Sequence, residues 1–390
     1  FESRMAIAAA YRQTLDIPVV GVSGSVGKTS TKEMIATVLA QKFCVQKTAG
    51  NFNNELGMPL TLLSIRPEHE AAVVEMGINH FGEMDRLFNG CRPDLFVITA
   101  IAACHLEFLG DLDGVLKAKT EGLKYMKSGA PLVLNADDDK LYSLKGRVDQ
   151  RIVFHSISGN NEAAVRAQDI RELGEEGSEF TLCLGCGESE GGMTQAQGPS
   201  AVRTGVRLSI PGAHMISNAL AAAAVGRELG LDIDEIVAGL EAARTEQGRS
   251  TFVKVGDMTV IDDCYNANPA SMKASIGVLA SCPGVRIAVL GDMGELGENE
   301  RALHAEVGAR LAASGVDAAF LSGELSEEIF KEAEYAVSHV VYLQDTDEMT
   351  AALTEYLGRD DVRSRRPYVL VKASHFMGYE RVVEALKGME

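Results

Sequence analysis

The sequence predicts two consecutive α/β domains. The first (residues 1–245) is a phosphate-loop domain on a parallel sheet with a small antiparallel excursion. The second (246–390) is a Rossmann-like, doubly wound sheet. Three observations lead there. A β-branched run, Ile17-Pro18-Val19-Val20, enters Gly21-Val22-Ser23-Gly24-Ser25-Val26-Gly27-Lys28-Thr29 and then a helical pattern, the strand–loop–helix order that cradles phosphate. From Asn160 to Arg207 the texture becomes glycine-rich, with short alternating stretches such as Phe180-Thr181-Leu182, as antiparallel strands have. After Leu240, apolar runs and helical stretches alternate: 258–263 with 272–279, 286–291 with 300–313, 318–322 with 327–335, 340–343 with 346–357, and 368–372 with 378–386. That alternation means a second parallel sheet, and 390 residues exceed one ordinary core.

Taken in order, residues 2–12 read as a helix beside the first strand. Val22 stands where the longer G-x-x-x-x-G-K-[ST] pattern has glycine, so the match is to the shorter G-x-x-G-K-T, Gly24 to Thr29. Gly24, Ser25, Gly27, Lys28, Thr29 and Ser30 are the expected nucleotide contacts. The glycines let backbone N–H groups close on phosphate oxygens, and the helix that follows adds partial positive charge. Lys28 would reach the β/γ-phosphates and the Thr29 hydroxyl would ligate Mg²⁺, which makes ATP and Mg²⁺ the expected cofactors. Past the loop, Ile35, Val38 and Leu39 share one helical face.

The stretch Gly50-Asn51-Phe52-Asn53-Asn54-Glu55-Leu56-Gly57-Met58-Pro59 packs three asparagines into four residues and reads as a specialised polar loop. Residues 71–77 form a buried strand that ends on Glu75. Ligands gather at the carboxyl ends of parallel strands, so Glu75 is expected to meet the Mg²⁺ of a nucleotide on the neighbouring loop. His105 follows the next strand, 95–99, and is a candidate by the same argument. A helix over 112–126 carries Lys117 and Lys119, which read by themselves as a solvated face. A strand at 131–139 ends in Asp137-Asp138-Asp139, a candidate helix cap. A loop is expected over 188–200, and Pro211-Gly212-Ala213-His214 opens an alanine-rich helix through Leu229. Gly291-Asp292-Met293-Gly294-Glu295-Leu296-Gly297 lacks dinucleotide spacing and is acidic, so no dinucleotide site is expected there.

Bulk properties narrow the class. A net charge of −18 argues against nucleic acid or an anionic membrane surface as partner. No apolar run approaches a membrane span, and no signal peptide is evident. Seven scattered cysteines suit reduced thiols in a cytoplasm. Cys183-Leu184-Gly185-Cys186 reads as a hairpin turn with incidental thiols.

A second polar constellation lies in the second domain: Asp262-Asp263-Cys264-Tyr265-Asn266-Ala267-Asn268-Pro269. An apolar strand delivers carboxylates and amides to a loop, with Pro269 suited to a first helical turn. Arg249, Lys372 and Ser374 are candidates to face the same cleft. Two domains with polar loops suggest closure on substrate, which suits a labile phosphorylated intermediate that must be kept from water.

These stretches together resemble the Mur ligase family. The resemblance rests on residues 24–29, the loop 51–59, Glu75-Met76-Gly77, His105-Leu106-Glu107, Lys117-Ala118-Lys119, Pro211-Gly212-Ala213-His214 with Asn218-Ala219-Leu220, residues 262–272, residues 291–297 and Val371-Lys372-Ala373-Ser374. It spans nearly the whole chain. Asn51-Phe52-Asn53-Asn54 and Tyr265-Asn266-Ala267-Asn268-Pro269 tie it most specifically to the branch that adds D-alanyl-D-alanine to UDP-N-acetylmuramoyl-tripeptide in peptidoglycan synthesis. The resemblance implies ATP-dependent amide synthesis through an acyl phosphate, by a monomer acting on small molecules. It implies that Thr29 and Glu75 hold one Mg²⁺, that His105 helps hold a second, and that Lys119 is carbamylated to bridge metal. Lys28, Lys119 and His105 become the catalytic candidates. Asn218, Arg249, Asp263 and Tyr265 match nucleotide contacts, and Asn53, Asn54, Asn266, Asn268, Lys372 and Ser374 match substrate-handling positions.

Three departures stand out. The chain opens on Phe1 just before the phosphate loop, so the family's amino-terminal domain, which grips the uridine nucleotide, is expected to be missing from it, whether trimmed or by nature. Cys264 stands where serine is usual, and Ala373 and His375 replace the usual Gly and Arg. Two alternatives remain at this point: another amide ligase of the superfamily, such as a folylpolyglutamate synthase, and a non-catalytic nucleotide-binding partner protein.

Overall fold

Apolar runs become strands where both faces can be covered. The computed structural model describes residues 2–185 and 202–389. Its strands are β1 (Val19–Ser23), β2 (Val45–Lys47), β3 (Ala71–Glu75), β4 (Leu95–Ile98), β5 (Pro131–Asn135), β6 (Arg151–Ser156), β7 (Val165–Glu172), β8 (Ser178–Leu184), β9 (Val202–Leu208), β10 (Thr251–Val255), β11 (Met258–Asp262), β12 (Arg286–Gly291), β13 (Ala318–Ser322), β14 (His339–Leu343) and β15 (Tyr368–Lys372). The first nine form one sheet in the order β2-β3-β1-β4-β5-β6-β7-β8-β9. Pairing is parallel from β2 through β7 and antiparallel from β7 to β9. β1, β3 and β4 are buried along their whole length, as central strands of a covered parallel sheet are.

Residues 2–102 and 108–244 form one compact unit. Residues 245–389, joined by the short segment Ala103–Glu107, form the other. In the second unit the order is β10-β11-β15-β12-β13-β14. All pairs are parallel except β10–β11. Here the structure departs from a purely parallel expectation. β10 and β11 are joined by Gly256-Asp257, with Gly256 at φ +55, a two-residue hairpin turn that places an antiparallel strand at the sheet edge.

Small residues set the depth of the phosphate-loop helix. That helix, Lys28–Leu39, packs against Ala213–Glu228 and Ile233–Ala242. Ala219 to Ala224 are all buried. A Cβ on Gly239 would stand 2.4 Å from Val38 Cα, and one on Gly226 would stand 2.8 Å from Val38 Cγ1. Only hydrogen at these positions allows the helices to approach this closely.

Two helical expectations change. The helix expected over 112–126 stops at Thr120 and resumes as a 3-10 turn, Leu123–Tyr125. A Cβ on Gly122 would lie 2.1 Å from the Phe88 ring, so packing of the helix Glu83–Cys91 selects glycine and the break. Asp138 caps the short helix Asp139–Tyr142 by accepting from Lys140 N and Leu141 N, while Asp137 turns away to Ser156 and Ser158. The loop expected over 188–200, and Cys186 of the cysteine pair, lie outside the described residues; Cys183 is buried in β8.

One buried group sets a pH limit. His155, near the end of β6, has neither ring nitrogen hydrogen-bonded, and burial pushes its imidazole down to about 4, against a small opposing pull from Asp137. The unfolded chain therefore takes up a proton near pH 6.5 that the native state accepts only near 4. Stability present above 6.5 is lost as pH falls through that window, by about 3 kcal/mol. Urea unfolding of His155→Leu and wild type at pH 7 and pH 4 should reveal wild type losing about that much relative to the variant. A difference independent of pH would contradict the assignment.

Candidate functional site

The phosphate loop is held open by its own backbone. Gly24 has φ +145 and Gly27 φ +80, conformations natural to glycine. A Cβ at Gly24 would stand 1.9 Å from Thr99 Oγ1, and one at Gly27 would stand 2.8 Å from Asn218 Oδ1. Asn218, buried on the helix Ala213–Glu228, therefore lies directly against the loop. Ser25 N donates to Ala100 O and Ser25 Oγ accepts from Ala102 N. Lys28 Nζ donates to Gly24 O at 2.9 Å. No side chain caps the helix Lys28–Leu39, and the N-terminus of a helix is the kind of place where backbone N–H groups bind anions. Ser30 lies in the first turn of that helix.

Beside the loop, β3 buries a carboxylate. Glu75 is 1% exposed. Its Oε1 accepts from Thr29 Oγ1 at 3.3 Å and from Asn53 Nδ2 at 2.8 Å. Its Oε2 is buried without a hydrogen bond and lies 3.9 Å from Lys32 Nζ. Lys32, fully buried, also contacts Glu33 Oε1 at 3.0 Å and donates to Thr48 O at 3.0 Å, while Thr48 Oγ1 accepts from Glu75 N. Lys47 pairs with the other side of Glu33. A threonine hydroxyl and a carboxylate with one under-bonded buried oxygen form a hard-oxygen set that fits Mg²⁺, which takes few protein ligands and completes its shell from phosphate and water. Among the described residues no group of three or more His, Cys, Asp or Glu side chains is arranged to hold a metal by itself.

The asparagine loop divides its work. Asn53 reaches Glu75, and its carbonyl accepts from Gly77 N at 2.8 Å. Asn54 Oδ1 instead accepts from Leu56 N and Gly57 N, each at 3.0 Å, and so shapes the turn. Lys119 is 1% exposed whereas Lys117 is exposed and lies over the Phe81 ring. Lys119 sits four residues after buried Val115, on the inner face of its helix. His105, at φ +53, groups with the second unit, where its Nδ1 pairs with Glu295.

In the second unit, strand ends again gather charge. Lys372 Nζ, at the end of β15, donates to Asp263 Oδ2 at 2.6 Å and to Asn266 O at 3.0 Å. Asp263 also accepts from Ser250 N at 3.0 Å and from Ser275 Oγ at 2.6 Å. The Arg249 guanidinium stacks over the Tyr265 ring at 3.9 Å, a cation–π contact, and His375 faces the same ring at 5.7 Å. Asn268 Oδ1 accepts from Ser271 N at 2.9 Å as a helix N-cap. Asn266 Oδ1 accepts from Ala267 N. Ser374 Oγ accepts from Gly294 N at 2.9 Å and donates to Ala267 O at 3.3 Å. Cys264 Sγ donates to Asp262 Oδ1 at 3.0 Å, and burial with that carboxylate raises its thiol.

Sequence reasoning passed over Lys32. The signal was present: Lys32 stands at i−3 and i−7 from Ile35 and Leu39, the register of the buried face. A lysine there needs a buried anion, which Glu33 and Glu75 supply.

Comparison with known proteins places the chain among relatives. Residues 22–226 match the Mur ligase middle domain and residues 248–375 match the Mur ligase, glutamate ligase domain. The UDP-N-acetylmuramoyl-tripeptide--D-alanyl-D-alanine ligase of Escherichia coli (strain K12) is 35% identical over 382 residues, covering 98% of this chain and 79% of that protein. A crystal structure of MurF from Acinetobacter baumannii superposes with a TM-score of 0.88 at 30% identity, over 99% of this chain and 80% of the other. MurF ligase from Thermotoga maritima, solved with ADP, gives 0.82 at 28% identity, over 99% and 83%.

The Lys32 cluster makes a direct prediction. Lys32→Met leaves Glu75 and Glu33 without their buried cation and should cost about 3–5 kcal/mol in urea unfolding. An unchanged midpoint would contradict the ion pairing described.

Proposed function

This chain belongs to the Mur ligase family, and on that premise we propose that it joins D-alanyl-D-alanine to UDP-N-acetylmuramoyl-tripeptide at the expense of ATP. The observation that carries the nucleotide half of this reading is the Thr29–Glu75 pair beside the open phosphate loop, 3.3 Å apart. The substrate half is supported by the Escherichia coli ligase, whose name states that reaction. A cytoplasmic location accords with the reading, and no helix among the described residues is long and apolar enough to cross a membrane.

The chemistry proceeds in two displacements. A terminal carboxylate oxygen of the tripeptide attacks the γ-phosphorus of ATP; the bond to the bridging oxygen breaks and ADP leaves. The D-alanyl-D-alanine amine then attacks the acyl carbon, loses a proton, and expels inorganic phosphate as the amide forms. Phosphoryl transfer demands positioning and charge neutralisation more than covalent help. The N–H groups of residues 24–29 and the helix behind them would hold the phosphates, with Lys28 supplying a mobile positive charge at the γ-position. Thr29 and Glu75 would hold Mg²⁺, which when bound neutralises charge on the transferring group. Lys32, 3.9 Å from Glu75 Oε2, helps to orient the carboxylate for that task. By the family resemblance, His105, and Lys119 as its carbamate, would each be candidates to hold a second Mg²⁺.

The remaining side chains sort by chemistry. Asn218, packed on Gly27, and the Arg249–Tyr265 stack suit a nucleotide's phosphates and base, with Asp263 ordering Ser250 next to Arg249. Lys372, buried against Asp263 and Asn266, suits the developing charge of the acyl phosphate, and Ser374 the incoming amine substrate. Asn53 orients Glu75, while Asn54 and Asn268 act as positioning groups for the loops that bear their neighbours.

Phosphate release measured on the protein as it stands tests the proposal. Release should require ATP, UDP-N-acetylmuramoyl-tripeptide and D-alanyl-D-alanine together, and Lys28→Ala should lower kcat by about 10²–10³, the scale of one lost charge-stabilising donor. Release driven instead by a folate and glutamate would overturn the substrate assignment, and nucleotide binding without turnover would make the chain a binding protein.

A further inference from the structure

The acidic glycine-rich stretch 291–297 follows β12 and takes no part in the chemistry above, yet it is fastened from several sides. Asp292 Oδ1 accepts from Ser326 N and Ser326 Oγ, each at 2.8 Å, and Oδ2 accepts from Leu325 N at 3.2 Å. Asp292 O accepts from Ser374 N at 3.0 Å, and Gly294 N donates to Ser374 Oγ at 2.9 Å. Glu295 pairs with His105. Between these anchors, Met293 N donates to His304 Nε2 at 2.9 Å.

His304 is fully buried on the helix Glu300–Ala312. Its Nδ1 lies 2.7 Å from Glu300 O. A carbonyl oxygen only accepts, so Nδ1 carries the proton and Nε2 offers its lone pair to Met293. The ring is thereby committed to one neutral tautomer.

We propose that His304 is a positioning residue for the ligation: as a neutral imidazole it holds the 291–297 loop, and through Gly294 and Asp292 it sets the Ser374 hydroxyl. The inference rests on the reading above, in which Ser374 addresses the amine substrate. An imidazolium has no lone pair for Met293 N, so protonation would leave a buried N–H facing a cation. Asp292 from the loop, Glu300 from the same helix and Glu328 from the helix Ser326–Ala333 favour the charged ring, but burial outweighs them and lowers its pKa from 6.5. The neutral form is thus held at pH 7, and positioning is lost as pH falls through the lowered value.

Two variants separate positioning from packing. His304→Phe keeps a ring without an acceptor; His304→Gln offers an amide oxygen to Met293 N. For His304→Phe, KM for D-alanyl-D-alanine should rise about tenfold, the scale of one lost buried hydrogen bond, with KM for ATP unmoved. His304→Gln should recover most of that loss and lack the acid limb expected of wild type in kcat/KM for the dipeptide. An unchanged dipeptide KM in His304→Phe, or an acid limb that persists in His304→Gln, would overturn the proposal. Hydrogen exchange across 292–296 reads the same point without turnover: exchange should quicken in His304→Phe and not in His304→Gln, and equal rates would overturn it. Absence of ligation by wild type would count against the substrate reading alone, because the exchange measurement stands apart from it.

Discussion

A carboxylate cannot be buried at a strand end without compensation, and most of the first unit is arranged around meeting that requirement for Glu75. Its two oxygens are served by a hydroxyl from the phosphate-loop helix, an amide from the asparagine loop and an ammonium from the same helix one turn on. Thr48 fixes its backbone N–H. The partners come from the phosphate-loop helix and from the stretch after β2, so β3, that helix and that stretch must all be in register before the charge is tolerated. Burial raises the cost of a misplaced partner, so the carboxylate that suits a cation also enforces the local fold. The small-residue packing of Gly226, Gly239 and the buried alanine-rich stretch 219–224 serves the same end, since it sets how deep the helix bearing Thr29 and Lys32 can lie.

The second unit repeats the device with opposite charge. There a lysine is buried at the end of β15, and Asp263 with the Asn266 carbonyl meets it. Asp263 in turn orders Ser250 and Ser275. Both units thus carry a charged group in the place where parallel strands end and ligands collect. Such groups are costly in a pure stability account; their cost is intelligible if each is held ready for a species of opposite charge, a cation for Glu75 and an anionic acyl phosphate for Lys372.

Much of the architecture was legible because parallel strands announce themselves as apolar runs. Residues 286–291, 318–322, 346–357 and 368–372 begin and end where expected. What escaped was decided by neighbours rather than by local pattern. β2 has three residues, too short for periodicity, and forms because β3 offers an edge. The helix expected over 112–126 breaks at Gly122 because Phe88 occupies the space beside it. Lys119 read as a solvated lysine on residue type alone; its register behind Val115 was the better guide, and the family resemblance singled it out before burial did. Lys32 was missed although its register was equally plain. Asn54 and Asn268 were grouped with substrate contacts since amides in loops serve both ligands and turns, and only geometry separates an oxygen that closes a turn from one that faces a cleft.

The most direct test of the central claim follows an atom. If the carboxylate is activated as an acyl phosphate, one oxygen of the tripeptide's terminal carboxylate must leave with phosphorus. With that carboxylate labelled with ¹⁸O, ligation of D-alanyl-D-alanine by this protein should yield inorganic phosphate carrying a single ¹⁸O for each amide formed, read by mass spectrometry or by the ³¹P isotope shift. Amide formation with unlabelled phosphate would contradict the account, because the bond energy of ATP would then have reached the amide by another route.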